Sequence, residues 1–146
     1  MPRPTTTRAA LLLVLVTVLP TAVAAAPTAF PPGQYELTWQ TVMPHLDEMR
    51  QQSSTATRCL DGTPDALFPV LAQPALRGCA LQPVAEAPAG RWRLACQSER
   101  VATGSARIES RATQMRGDLA IKMGGKNMTF TQHTEAVRRG NCSAGR

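Results

Sequence analysis

Histidine is scarce in this chain: His45 and His133 are the two among 146 residues. Neither lies in a recognisable catalytic motif. Ser105 stands in Thr103-Gly104-Ser105-Ala106, which is not the G-x-S-x-G elbow that exposes a hydrolase nucleophile beside its base. His133 and Glu135 could form a base and its orienter on one strand, but two polar side chains two residues apart are also what any solvated strand face carries. No C-x-x-C or H-x-x-x-H spacing occurs, so a structural zinc site has no ligand frame. Aromatic residues make up 4% of the chain. Without stacking partners, a modest excess of basic residues argues poorly for nucleic acid. The chain reads as non-enzymatic, with no cofactor and no nucleic-acid partner.

The N-terminus does have a pattern. Arg3 and Arg8 give a positive start, Ala9 to Leu19 an apolar run, and Pro20 a break before small residues. Ala22-Val23-Ala24 fits the A-x-A cleavage pattern, so residues 1–24 are expected to be a cleaved signal peptide. The run is too short to span a hydrocarbon core of about 30 Å comfortably. No cysteine stands near the cleavage site to carry lipid. The expected mature protein starts at Ala25, is periplasmic or secreted, and forms a single domain over residues 25–146. The leader removes two of the 16 basic residues, leaving 14 against 10 acidic ones and a net charge of +4.

All four cysteines lie in that mature part, and an even count in a small exported protein reads as a disulfide framework. The stretch Gly78 to Cys96, GCALQPVAEAPAGRWRLAC, has a cysteine near each end and a turn-like APAG between them. As an antiparallel hairpin with Ala85 opposite Gly90, it sets Pro83 against Trp92, Leu81 against Leu94 and Cys79 against Cys96. Opposed residues have Cβ atoms roughly 4.5–5.5 Å apart, close enough for a disulfide with modest adjustment. Leu81, Trp92 and Leu94 then share one face, and Gln82, Arg91 and Arg93 the other. With Cys79–Cys96 formed, Cys59 is left to pair with Cys142. Paired thiols leave nothing free for redox chemistry.

Period-two alternation runs through most of the remaining chain. Tyr35, Leu37, Trp39 and Met43 alternate with Gln34, Glu36, Thr38 and Gln40, between Pro31-Pro32-Gly33 and Pro44. A polar loop, His45 to Ser54, precedes a threonine-rich strand ending at Leu60. Thr63 can cap, and Pro64 suits a first helical position, so one short helix of a turn or two is expected there. Pro69 limits its length. Ala102, Gly104, Ala106 and Ile108 share a face, as do Met115, Gly117, Leu119, Ile121 and Met123. A last strand opens with Met128 and Phe130 and runs to Arg139. The expected fold is all-β: about seven antiparallel strands in a meander, curled into a partly closed barrel-like sheet that hides its apolar face and its edges.

Several of these features occur together in a known family. They are Pro32-Gly33-x-Tyr35-Glu36-x-Thr38, Arg58-Cys59-Leu60, Gly78-Cys79 before a strand, Trp92-x-x-x-Cys96, a strand containing Gly104, and the terminal Arg139-Gly140-Asn141-Cys142. With these, the chain resembles the exported proteobacterial proteins grouped as domain of unknown function 3617, over essentially the whole mature part. Tyr35 stands where that family often has tryptophan. The resemblance implies an exported β-rich domain and brings no activity with it.

The expected role is therefore binding: a small apolar ligand in the curved interior, or an envelope protein on the face, by a monomer. The alternative of a different class is periplasmic copper. Met43, His45 and Met49 lie within seven residues, and thioethers with imidazole suit Cu(I). Met115, Met123 and Met128 read instead as core filler.

Overall fold

The alternation produces the sheet it predicts. The computed structural model describes residues 27–44, 53–98, 100–125 and 128–143. Seven strands form one sheet: β1 (Gly33–Val42), β2 (Ser53–Leu60), β3 (Ala80–Pro83), β4 (Arg91–Ala95), β5 (Ala102–Arg111), β6 (Gln114–Met123) and β7 (Thr129–Gly140). Every pairing is antiparallel, in the order β2-β1-β7-β6-β5-β4-β3. β3 to β7 form an up-and-down meander. The β1–β2 pair is set beside β7 rather than beside β3, so the first strand lies next to the last. The expected leader, residues 1–24, is outside the described residues.

Register places the apolar residues in rows on one face. Leu81, Leu94, Gly104, Ile121 and Phe130 follow one another across β3 to β7. The next row holds Trp92, Ala106, Leu119, Gln132 and Thr41, and the next Ile108, Gly117, Thr134 and Trp39. The hairpin pairs as the cysteines require, with Leu81 opposite Leu94 and Pro83 opposite Trp92. Its ladder ends one step earlier than Ala85–Gly90, at the Val84 N–H on the Arg91 carbonyl (3.3 Å).

Both disulfides form as expected. Cys79–Cys96 joins the outer ends of β3 and β4, with Cα atoms 4.0 Å apart. Cys59–Cys142 joins β2 to the segment after β7, with Cα atoms 5.5 Å apart. Gln34 pairs with Cys59 on one side and Gly140 on the other, so this second bridge steps over the start of β1. Closing a loop of that length, a sequence separation of 83, removes unfolded-chain entropy worth over about 4 kcal/mol on loop-closure estimates.

Two expectations are corrected here. The sheet is not a partly closed barrel: β2 and β3 remain separate edges. The helix after β2 is not one helix but three 3-10 turns, Pro64–Leu67, Pro69–Ala72 and Pro74–Leu76. Proline recurs every five residues and opens each turn. Pro69 and Pro74 have no N–H to reach back four residues, so a continuing α-helix would lose those bonds. The chain uses three-residue closures instead: Phe68 N–H to the Asp65 carbonyl at 3.0 Å, Gln73 to Val70 at 3.1 Å and Arg77 to Pro74 at 3.2 Å. Thr63 does not cap the first turn; its hydroxyl and N–H both donate to Asp61 Oδ1.

This strap, residues 64–76, covers the apolar face that a barrel would have hidden by curling. It buries Leu67, Phe68, Val70 and Leu76 against the sheet. The seat for it is Gly117, in the middle of β6. A Cβ there would stand 2.7 Å from Leu67 Cδ2 and 2.7 Å from Phe68 Cζ, well inside contact distance. Val70 N–H donates to Gln132 Oε1 at 3.2 Å, and Gln132 Nε2 donates to Thr41 Oγ1 at 3.3 Å. That explains a glutamine only 2% exposed in the core: without it the strap's amide would be buried unpaired.

The seat is open to a direct test. Gly117 has an ordinary strand backbone, so alanine meets no conformational penalty and would normally strengthen a strand. We predict the reverse, a loss of about 1–3 kcal/mol for Gly117→Ala from overpacking. Ala120→Val, on the solvent face of the same strand, should stay within about 0.5 kcal/mol. Urea denaturation of both variants checks this, and equal midpoints would mean the strap does not rest on Gly117.

Candidate functional site

The strap covers the middle of the face and leaves an end uncovered. Where β1, β6 and β7 run past it, a cavity of about 310 Å³ opens, walled by Met43, Val70, Leu76, Met123, Met128 and Phe130, with Thr41, Gln73 and Ala75 at its margin. The sheet supplies Thr41 from β1 and Met43 from just past it, Met123 from the end of β6, Met128 from just before β7 and Phe130 from its start. The strap supplies the rest. No described side chain on this wall is charged, so the cavity favours apolar matter with one or two hydrogen-bonding groups.

The roof over this cavity is pinned at both ends. Toward the cavity, Gln132 holds Val70. At the far end, Asp65 Oδ1 accepts the Leu81 N–H at 2.7 Å, fastening the first turn to the edge strand β3. Burial pushes the Asp65 carboxyl above its usual value, and the nearby Asp61 carboxylate adds to the rise while the Leu81 amide opposes it. Asp61 is shifted the other way, chiefly by the Thr63 hydroxyl and then by the Thr63 N–H.

The candidates read from the sequence are only partly brought together. Met43 lines the cavity wall. His45 and Met49 lie outside the described residues. Of the methionines expected as core filler, Met115 is buried, Met123 is half-buried, and Met128 is 42% exposed at the cavity mouth. Met128 is thus corrected: the strap ends before reaching it. Met123 and Met128 were not legible as site residues, because nothing in a strand's own alternation shows where its cover stops. The four cysteines form the two bridges and are distant in role from the cavity.

The opposite face is polar. His133 Nδ1 lies 2.6 Å from Asp118 Oδ1 rather than beside Glu135, which pairs with Arg116 at 3.1 Å. Arg139 meets Glu36 at 3.0 Å and Arg107 meets Glu109 at 2.6 Å. All these pairs are exposed, where such contacts contribute about 0–1 kcal/mol each. Ser105, Ala120 and Thr131 line shallow hollows on this side. Among the described residues no group of three or more His, Cys, Asp or Glu side chains could hold a metal ion. Nor is any described helix long and apolar enough to cross a membrane.

The anchor at Asp65 makes a prediction about pH. A carboxyl whose value is raised in the folded state binds its proton more tightly there than in the unfolded chain. Stability on this group is therefore full below the unfolded value, about 4, and falls as pH rises through the folded value. Asp65→Asn keeps an acceptor for Leu81 and removes the charge. It should equal or exceed wild type in stability at pH 7 and lose that part of the pH dependence. Asp65→Ala strands the Leu81 N–H and should cost about 1–3 kcal/mol. Thermal denaturation from pH 3 to 8 checks this; Asp65→Asn behaving like Asp65→Ala would refute it.

Comparison with known proteins adds a family and nothing finer. No curated protein matches the chain, and no solved structure matches it. A family described as "Protein of unknown function (DUF3617)" matches residues 30–142, from just before β1 to the last cysteine, and the chain belongs to that family.

Proposed function

We propose that this protein is an exported, non-enzymatic binding module that takes a small apolar ligand at the open end of its strap. The observation that carries this is the cavity bounded by Val70, Leu76 and Phe130 together with three methionines. It replaces the barrel interior that the sequence suggested. Methionine is unbranched and polarisable, and surfaces rich in it adapt to ligands of varied shape. Export is supported by the pattern of residues 1–24, and the two disulfides hint at an oxidising, non-cytoplasmic location. The periplasm is the compartment proposed, and a monomer the working state. Of the loop set Met43, His45 and Met49, Met43 alone stands on described ground, so the copper reading on those residues gains no independent support.

A neutral fluorescent probe, N-phenyl-1-naphthylamine, tests the pocket. It should bind the disulfide-bonded protein with enhanced emission. Ala75→Trp, a change at the exposed margin of the cavity, should weaken binding at least ten-fold while leaving the denaturation midpoint in place. Absence of binding, or equal binding by Ala75→Trp, would overturn the proposal. Export has its own check: protein recovered from the periplasm should have the intact mass of a chain starting at Ala25 with both disulfides formed.

A further inference from the structure

The same cavity mouth carries a second chemistry. Met123 N–H donates to the Met128 carbonyl at 2.8 Å, which sets these two residues directly opposite across the β6–β7 turn. Met123 lies two residues beyond Ile121 and Met128 two before Phe130; both of those are buried on the covered face, so both methionines belong to that face. Val42 pairs with Thr131. Met43, next along, therefore falls opposite Phe130 and diagonal to Met128. Directly opposed Cβ atoms are about 4.5–5.5 Å apart and diagonal ones about 7–8 Å. Each methionine carries its sulfur two bonds beyond Cβ, which brings the Met128 sulfur within reach of the Met123 sulfur on one side and of the Met43 sulfur on the other. All three line the cavity.

We infer that Met43, Met123 and Met128 form a thioether site for a soft monovalent cation, Cu(I) in the first place and Ag(I) by the same chemistry. Neutral sulfur ligands select such ions over Zn²⁺, Ca²⁺ and Mg²⁺, which want thiolate, imidazole or oxygen. No carboxylate, imidazole or free thiol stands on the described wall, and all four cysteines are in disulfides. Met115 shows what a filler methionine looks like here, at 3% exposed, whereas Met128 stands 42% exposed at the mouth. The site needs neither His45 nor Met49. It also stands apart from the apolar-ligand reading, since it is carried by the sulfur atoms and not by the volume of the cavity.

The test uses the disulfide-bonded protein under anaerobic conditions, titrated with Cu(I) against a chromogenic Cu(I) chelator. Wild type should take one equivalent. Met43→Leu, Met123→Leu and Met128→Leu should each weaken binding at least ten-fold, and the triple variant should abolish it. Leucine for methionine conserves volume, so the triple variant should still fold, with a denaturation midpoint close to that of wild type. Met115→Leu, and His45→Ala combined with Met49→Ala, should bind Cu(I) as wild type does. Thioethers do not titrate, so affinity should be flat from pH 5 to 8; an imidazole ligand would weaken it below about pH 6. With Ag(I), the ε-methyl NMR signals of Met43, Met123 and Met128 should shift and that of Met115 should not. The inference is overturned if wild type takes no Cu(I) from the chelator, or if the triple leucine variant binds as wild type does.

Discussion

The structure depends on one close approach, that of Leu67 and Phe68 to the bare Cα of Gly117. A seven-stranded sheet with one apolar face must hide that face, by closing on itself or by acquiring a cover. Here the cover is a strap of three 3-10 turns, too thin to bury much unless it sits directly on the backbone of the sheet. Glycine in the central row allows that, and Ile108 and Thr134 flank it in register. Once Leu67 and Phe68 are seated, Val70 falls within reach of Gln132 and Asp65 within reach of Leu81. The cavity follows from the same placement, because a strap fixed over the middle of the face cannot also cover its end.

An open sheet leaves two edges, and they differ. β3 is four residues long, carries Pro83 and has a disulfide at its outer end, features that discourage pairing with a neighbour. β2 is twice that length and half serine and threonine. It is tied to the tail of β7 through Cys59–Cys142, so the bridge fastens a strand of which Leu60 alone is buried. Arg58 also lies over the Trp39 ring, 5.5 Å from its centroid. Each disulfide thus secures an edge strand of the sheet.

Much of this was legible in the sequence, for a physical reason. Alternation is local, and it set the strands and the faces of Leu81, Trp92, Leu94 and Ile108 correctly. The hairpin register followed from two cysteines and a turn. What escaped is what depends on contacts between distant segments. Proline at 64, 69 and 74 marked a break but not that the broken segment lies flat on the sheet. Gln132 and Thr134 look like solvent residues on a polar strand, and their burial comes from the strap above them. The order of the sheet, with β1 beside β7, is a long-range pairing that no local pattern encodes. For the same reason Met123 and Met128 read as filler: their exposure is set by where another segment ends.

The contact between Gly117 and Phe68 can be observed directly. In the NMR spectrum of the disulfide-bonded protein, the Gly117 Hα protons should show nuclear Overhauser effects to the Phe68 ring and a methyl of Leu67, and one Hα should be displaced by the ring current. Those cross-peaks are the predicted result, since an added Cβ at that position would lie 2.7 Å from Phe68 Cζ. A Gly117 signal at an ordinary shift with no cross-peak to residues 64–76 would contradict the account, because the strap would then not be seated on the sheet.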